Sequence, residues 1–164
     1  MNKTILELMD EPSLAGREPY GRLVRRLRIF RRFVEDLSSL STCRRKKVGC
    51  LVTTDDLSEV LSIGYNGQPV GISNDRCRSE EGRCGCVHAE ANAIVKLRSM
   101  QSGLVLLCTC SPCESCAGLI SNSKKVRYVL YGEDYRDLVG KTIMHSAGIL
   151  FLPMDELTER ETYA

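Results

Sequence analysis

Four side chains in two short runs have the types and spacing to carry out hydrolytic chemistry. His88 and Glu90 stand two apart in CVHAEANAIVKL (86–97). Cys113 and Cys116 stand three apart in TCSPCESCAGLI (109–120), with Pro112 directly before the first cysteine. Imidazole and thiolate are preferred zinc donors, so His88, Cys113 and Cys116 predict zinc rather than magnesium or calcium. Three protein ligands is the number a catalytic zinc takes, leaving its fourth position for water. Zinc lowers the pKa of a bound water from about 15.7 to about 7, which supplies a strong nucleophile at neutral pH. Glu90 is then not a ligand. It is the expected proton shuttle, taking a proton from the attacking water and delivering it to the substrate.

Each half of this set has a simpler reading. A lone C-x-x-C is often a redox pair or half of a structural zinc site, and a lone H-x-E on a helix is an ordinary surface feature. The conjunction favours a catalytic zinc. The halves come in the order H-x-E then P-C-x-x-C, a signature of zinc nucleobase deaminases. A strand-like LVLLCT leads into the second half, and the chain has only two histidines. The other, His145, lies far past both runs and reads as a helix residue.

The elements that must hold these residues can be read from periodicity. AEANAIVKL predicts a helix with an apolar stripe of Ala91, Ile94, Val95 and Leu97. CESCAGLISNS predicts another, with Pro112 as its start signal. His88 and Glu90 then fall in the first turn of one helix, and Cys113 and Cys116 on one face near the start of the other. Two helix N-termini at one metal would also favour thiolate over thiol.

Around this centre, Tyr20–Leu40 predicts a helix from the spacing of Leu23, Leu27, Phe30, Val34 and Leu37. Between them lie Arg22, Arg25, Arg26, Arg28, Arg31 and Arg32, which form either a nucleic-acid face or a solvated or subunit-facing one. A net charge of only +2 favours the structural reading. A basic loop, Ser41 to Lys47, feeds a strand, Val48–Thr54. Asp55 and Asp56 turn the chain into a second strand, Glu59–Tyr65, giving a hairpin. The loop GYNGQPVG follows. The basic loop and this Asn-Gly loop should meet at one sheet edge, which suits the phosphate of a nucleotide. Further strands are expected at LVLLCT, Val126–Gly132 and Ile149–Leu152, and a helix at Leu138–Ala147. Strands alternating with helices predict an α/β fold with a mostly parallel sheet, the hairpin adding an antiparallel edge.

Nine cysteines is a high count. Cys50 and Cys108 sit in apolar runs and read as small core residues. Cys77, Cys84 and Cys86 dot the polar stretch before His88. They show no paired C-x-x-C spacing, so free thiols in a loop are the expectation, with one zinc in the chain. A second, structural zinc on Cys77, Cys84, Cys86 and Cys43 is the alternative. The odd remainder of cysteines and the absence of an apolar leader predict a reducing cytosol without structural disulfides. No apolar run approaches membrane-spanning length. Composition, 43% hydrophobic and 27% charged over 164 residues, is that of one soluble domain. We expect an N-terminal extension at 1–18 with a short helix at Ile5–Met9, a catalytic domain at 19–155, and a charged, frayed tail at 156–164.

From about Ser41 to Ile149 the chain resembles the deoxycytidylate (dCMP) deaminases of the cytidine deaminase-like superfamily. The resemblance rests on STCRRKKVG, GYNGQPVG, VHAEANAI, the P-C-x-x-C run, Tyr135 and a late SAGI. It implies a three-layer α/β/α fold, with a mixed five-stranded sheet and helices on both faces. It implies hydrolysis of the 4-amino group of dCMP, with 5-modified dCMP as a further substrate, to give dUMP for thymidylate synthesis. It also implies that Ser41, Arg45, Lys47, Asn66, Ala89 and Tyr135 help hold the nucleotide. Homo-oligomers, dCTP and dTTP effectors and a bacterial or bacteriophage source would fit. The chain departs from the family between Pro69 and His88, where it is short and cysteine-rich. Two competitors stand beside this reading. One is a deaminase of tRNA or single-stranded nucleic acid that uses the arginine-rich helix. The other is a non-catalytic zinc module, for which Glu90 would have no use.

Overall fold

Period-two burial along the strands builds two apolar cores, one on each face of a single sheet. The computed structural model describes Glu7, residues 20–77 and residues 84–158. In β1 (Gly49–Thr53) every residue is buried. Cys50 and Val52 point into one core and Leu51 into the other. The remaining strands are β2 (Val60–Tyr65), β3 (Leu104–Cys110), β4 (Val126–Glu133) and β5 (Leu150–Pro153), in the order β2-β1-β3-β4-β5. β1 runs antiparallel to both β2 and β3, while β3, β4 and β5 are parallel. The hairpin is therefore the antiparallel edge expected from the sequence.

Helix α1 (Gly21–Ser39) and a short α5 (Met154–Thr158) cover one face, packing on Leu51, Val105, Leu107 and Leu130. Helices α2 (Ala89–Lys96), α3 (Glu114–Ser123) and α4 (Val139–Ser146) cover the other, on Cys50, Val52, Leu106, Cys108 and Val129. The result is the three-layer α/β/α arrangement with helices on both faces.

Two details differ from expectation. Of the frayed tail expected at 156–164, residues 159–164 lie outside the described residues, and 156–158 instead belong to α5, in which Met154 and Leu157 are each 1% exposed. Their i, i+3 spacing was masked by the charged residues between them. The buried row of α2 is Ala89, Ala93 and Leu97, while Val95 is 72% exposed. Small alanines face the sheet because α2 packs directly on the backbone of β2. Three of the six arginines of α1 serve the fold: Arg26 donates to the Asp56 carbonyl at 3.0 Å and Arg28 to the Thr158 carbonyl at 2.7 Å, while Arg31 pairs with Asp155. The helix expected at Ile5–Met9 lies outside the described residues, apart from Glu7. Among the described residues no helix is long and apolar enough to cross a membrane.

Candidate active site

Two helices begin at the predicted ligands. His88 is the N-cap of α2 and Cys113 the N-cap of α3, both with extended backbone, so their side chains project from the helix starts toward each other. Backbone packing sets this meeting. A Cβ at Gly64 in β2 would run into the Ala89 carbonyl, and one at Gly140 in α4 into the Pro112 carbonyl. Glycine at these two places lets α2 lie on the sheet and α4 lie against the start of α3.

His88 Nδ1 lies 3.4 Å from Cys113 Sγ and 3.4 Å from Cys116 Sγ, and the three donor atoms all fall within 4.8 Å of one another. A tetrahedral zinc with Zn–S of about 2.3 Å and Zn–N of about 2.05 Å separates its nitrogen and sulfur ligands by about 3.6 Å. The three donors fit a zinc ion in type and spacing. Hydrogen bonding from Cys116, helped by the His88 ring, holds the Cys113 thiol down to about 4, and so as thiolate. The hydrogen bond to Cys113 in turn raises His88. Glu90 is only 4% exposed, one residue into α2 from Ala89. Burial pushes its carboxyl up to about 7, against the pull of its own backbone N–H and of His88. A carboxyl poised near neutrality can both accept and return a proton.

These groups sit at the bottom of an open cleft of about 330 Å³, a size suited to a small ligand. The cleft lies at the C-terminal ends of β3 and β4, where ligands bind in open α/β sheets. Of the residues expected to hold a nucleotide, Arg45, Asn66, Ala89 and Tyr135 line it. Ser41 and Lys47 are not among its lining residues. Ser41 is buried, its hydroxyl accepting the Cys43 N–H at 3.2 Å. Lys46 takes the place expected of Lys47, because the chain is already extending toward β1 and neighbouring side chains alternate. Its ammonium reaches Glu133 at 2.8 Å and Cys110 Sγ at 3.3 Å. Asn66 has a scaffolding part as well: its amide donates to the Lys46 carbonyl at 2.7 Å and accepts the Val48 N–H at 2.8 Å. This closes the basic loop onto the end of β2. Cys110, Ser111 and Arg136 also line the cleft and were not anticipated. Their only signal was adjacency to Pro112 and Tyr135.

A second cluster adjoins the first. The sulfurs of Cys43, Cys77, Cys84 and Cys86 all lie within 4.8 Å of one another. Cys43 Sγ is 3.7 Å from Cys84 Sγ, and Cys86 Sγ is 3.8 Å from Cys77 Sγ. Disulfide sulfurs stand about 2.05 Å apart. Two thiolates on one tetrahedral zinc stand about 3.8 Å apart. Burial, and then hydrogen bonding with the neighbouring thiols, raises the Cys86 thiol; a shared dication would favour its thiolate instead. The four are free thiols, as expected, and their sulfurs lie close enough together to share one metal ion. Cys43 and Cys84 also line the cleft, so the cluster forms part of its wall.

Residues 26–133 match the family described as "Cytidine and deoxycytidylate deaminase zinc-binding region". The chain is 30% identical over 125 residues to the deoxycytidylate deaminase of Saccharomyces cerevisiae, covering 68% of this chain and 39% of that protein. It is 36% identical over 105 residues to the deoxycytidylate deaminase of Mycobacterium phage D29, covering 54% of this chain and 80% of that one. The chain thus spans about two-fifths of the length of its yeast relatives. Among solved structures, the dCMP deaminase of cyanophage S-TIM5, in complex with dCMP and dUMP, superposes with a TM-score of 0.68 at 33% identity, covering 77% of this chain and 94% of that one. RibD of Acinetobacter baumannii shares the fold with a TM-score of 0.60 at 16% identity. The matched span contains the whole of the cleft floor, His88, Glu90, Cys113 and Cys116 included, and the chain belongs to the cytidine and deoxycytidylate deaminase zinc-binding family.

Proposed function

We propose that this protein hydrolyses dCMP to dUMP and ammonia. The observation that carries the reading is the cleft itself. A three-donor zinc set and a buried carboxyl stand at its floor, and a basic loop stands at its rim. The 33% identical cyanophage enzyme solved with dCMP and dUMP supports the same substrate.

His88, Cys113 and Cys116 would hold the zinc. When bound, it would act as a Lewis acid that makes water nucleophilic at neutral pH. Glu90 takes one proton from the attacking water and passes it to ring N3. It then moves a second from the new hydroxyl to the departing 4-amino group, which leaves as ammonia. The first N–H groups of α2 lack intrahelical acceptors, so Ala89 N–H would hold the pyrimidine carbonyl. Asn66 fixes the basic loop, Tyr135 walls the sugar side, and Arg45 with Lys46 faces the phosphate. Cys43, Cys77, Cys84 and Cys86 would hold a second, structural zinc, which would make two per chain. The product would feed thymidylate synthesis.

The arginine-rich α1 does not favour a nucleic-acid substrate. It covers the sheet face opposite α2 and α3, and three of its arginines bind other parts of the chain. The test is ammonia release from dCMP, CMP, deoxycytidine, 5-methyl-dCMP and dCTP, with zinc measured on the same sample. Turnover of dCMP well above deoxycytidine is expected. A zinc-loaded protein inert on every monomer would overturn the assignment.

A further inference from the structure

The basic loop is an incomplete phosphate site. Lys46 is already matched: its ammonium lies 2.8 Å from Glu133. A phosphomonoester carries close to two negative charges, and Lys46 with Arg45 would offer it less than that. A further cation lines the same cleft: Arg136, from the loop between β4 and α4.

Three contacts fix that loop. The Tyr135 N–H donates to Ser111 Oγ at 2.8 Å, tying it to the segment that leads into Cys113. The acids flanking Arg136 are engaged elsewhere, Asp134 with Lys141 at 2.5 Å and Asp137 with the Val139 N–H at 3.3 Å. The Arg136 guanidinium lies 5.6 Å from the centre of the Tyr135 ring, which supports its plane beside the cleft. A guanidinium is a rigid planar fork suited to bidentate contact with phosphate oxygens.

We infer that Arg136 is a specificity-determining residue that clamps the 5′-phosphate against Arg45 and so selects nucleotide over nucleoside. This rests on the dCMP reading proposed above. A charge-assisted contact of this kind is worth about tenfold to hundredfold in affinity. Its loss should fall mainly on KM, because the phosphate is remote from the reacting carbon.

The test compares wild type with Arg136→Ala and Arg136→Lys, using kcat and KM for dCMP and deoxycytidine, and calorimetric affinity for dUMP and deoxyuridine. Arg136→Ala should raise KM for dCMP and weaken dUMP about tenfold to hundredfold. It should leave kcat, zinc content and both nucleosides within about twofold. Arg136→Lys should recover part of the loss, keeping charge but not the fork. The inference is overturned if Arg136→Ala keeps the wild-type preference for dUMP over deoxyuridine, or if it weakens nucleotide and nucleoside alike. A wild type that does not distinguish dCMP from deoxycytidine would instead bring down the dCMP reading, and this inference with it. Should the alanine variant fail to fold, Arg136→Gln carries the same comparison with less change in volume.

Discussion

On the proposed two-zinc reading, replacing Cys77 with serine should remove one zinc ion of two and leave the catalytic centre loaded. Cys77 closes the short turn after Asn74–Arg76, is 4% exposed, and sits 3.8 Å sulfur to sulfur from Cys86. It is not part of the His88, Cys113, Cys116 set. The magnitude follows from the chain segments that the cluster joins. Cys43 follows α1 and Cys84 precedes α2, 41 residues apart in sequence. Treated as a cross-link that closes a loop of that length, the tie is worth about 4 kcal/mol. For a domain of this size that is a fall of about 8–16 °C in melting temperature. The assay is zinc per chain by plasma mass spectrometry, with thermal unfolding followed with and without added zinc. The variant should hold one zinc and melt about 10 °C lower, and zinc should no longer raise its melting point. KM for dCMP should rise as well, because Cys43 and Cys84 wall the cleft beside Arg45. A wild type with a single zinc, or a variant that keeps two and melts unchanged, would refute the reasoning.

Glu90→Gln should keep its zinc, since Glu90 lies outside both donor sets, yet lose about 10³-fold or more in kcat; general acid–base groups supply about 10²–10⁴-fold and this one acts in two transfers. Gly64→Ala should push the Ala89 carbonyl away from β2, lowering stability by about 1–3 kcal/mol and kcat by about tenfold or more, read by denaturant unfolding and steady-state kinetics. Leu157→Ala should cost about 2–5 kcal/mol in unfolding free energy, because the side chain is 1% exposed against α1, while kcat/KM for dCMP stays within about twofold on the far side of the sheet.

What could be read from the sequence follows from how locally each feature is encoded. The zinc donors were legible because each stands at a helix start announced by short-range signals, Pro112 before Cys113 and the alanine-rich run after His88. The strands were legible because the cores on both faces demand apolar runs such as LVLLC and VLY. The four-cysteine cluster was legible only as the less favoured of two readings, because no paired C-x-x-C spacing marks it. Its members come from three separate segments, and only the hairpin topology, with Gly67 bridged to Val87, brings Cys43 to Cys84. Choosing between Lys46 and Lys47 needed the register of β1, since a shift of one residue reverses the face a side chain takes. Arg136 depended on where the β4–α4 loop returns. The short helix Met154–Thr158 was hidden because two apolar contacts among charged residues resemble a loose tail until α1 is placed above them.

The most direct test of the central claim is the turnover of dCMP by zinc-loaded protein, set against deoxycytidine and against the same protein stripped by a chelator. The account predicts conversion of dCMP to dUMP with stoichiometric ammonia, kcat/KM far above that for deoxycytidine, loss on stripping and recovery with zinc. Equal handling of dCMP and deoxycytidine, or dCMP turnover that survives complete removal of zinc, would contradict it.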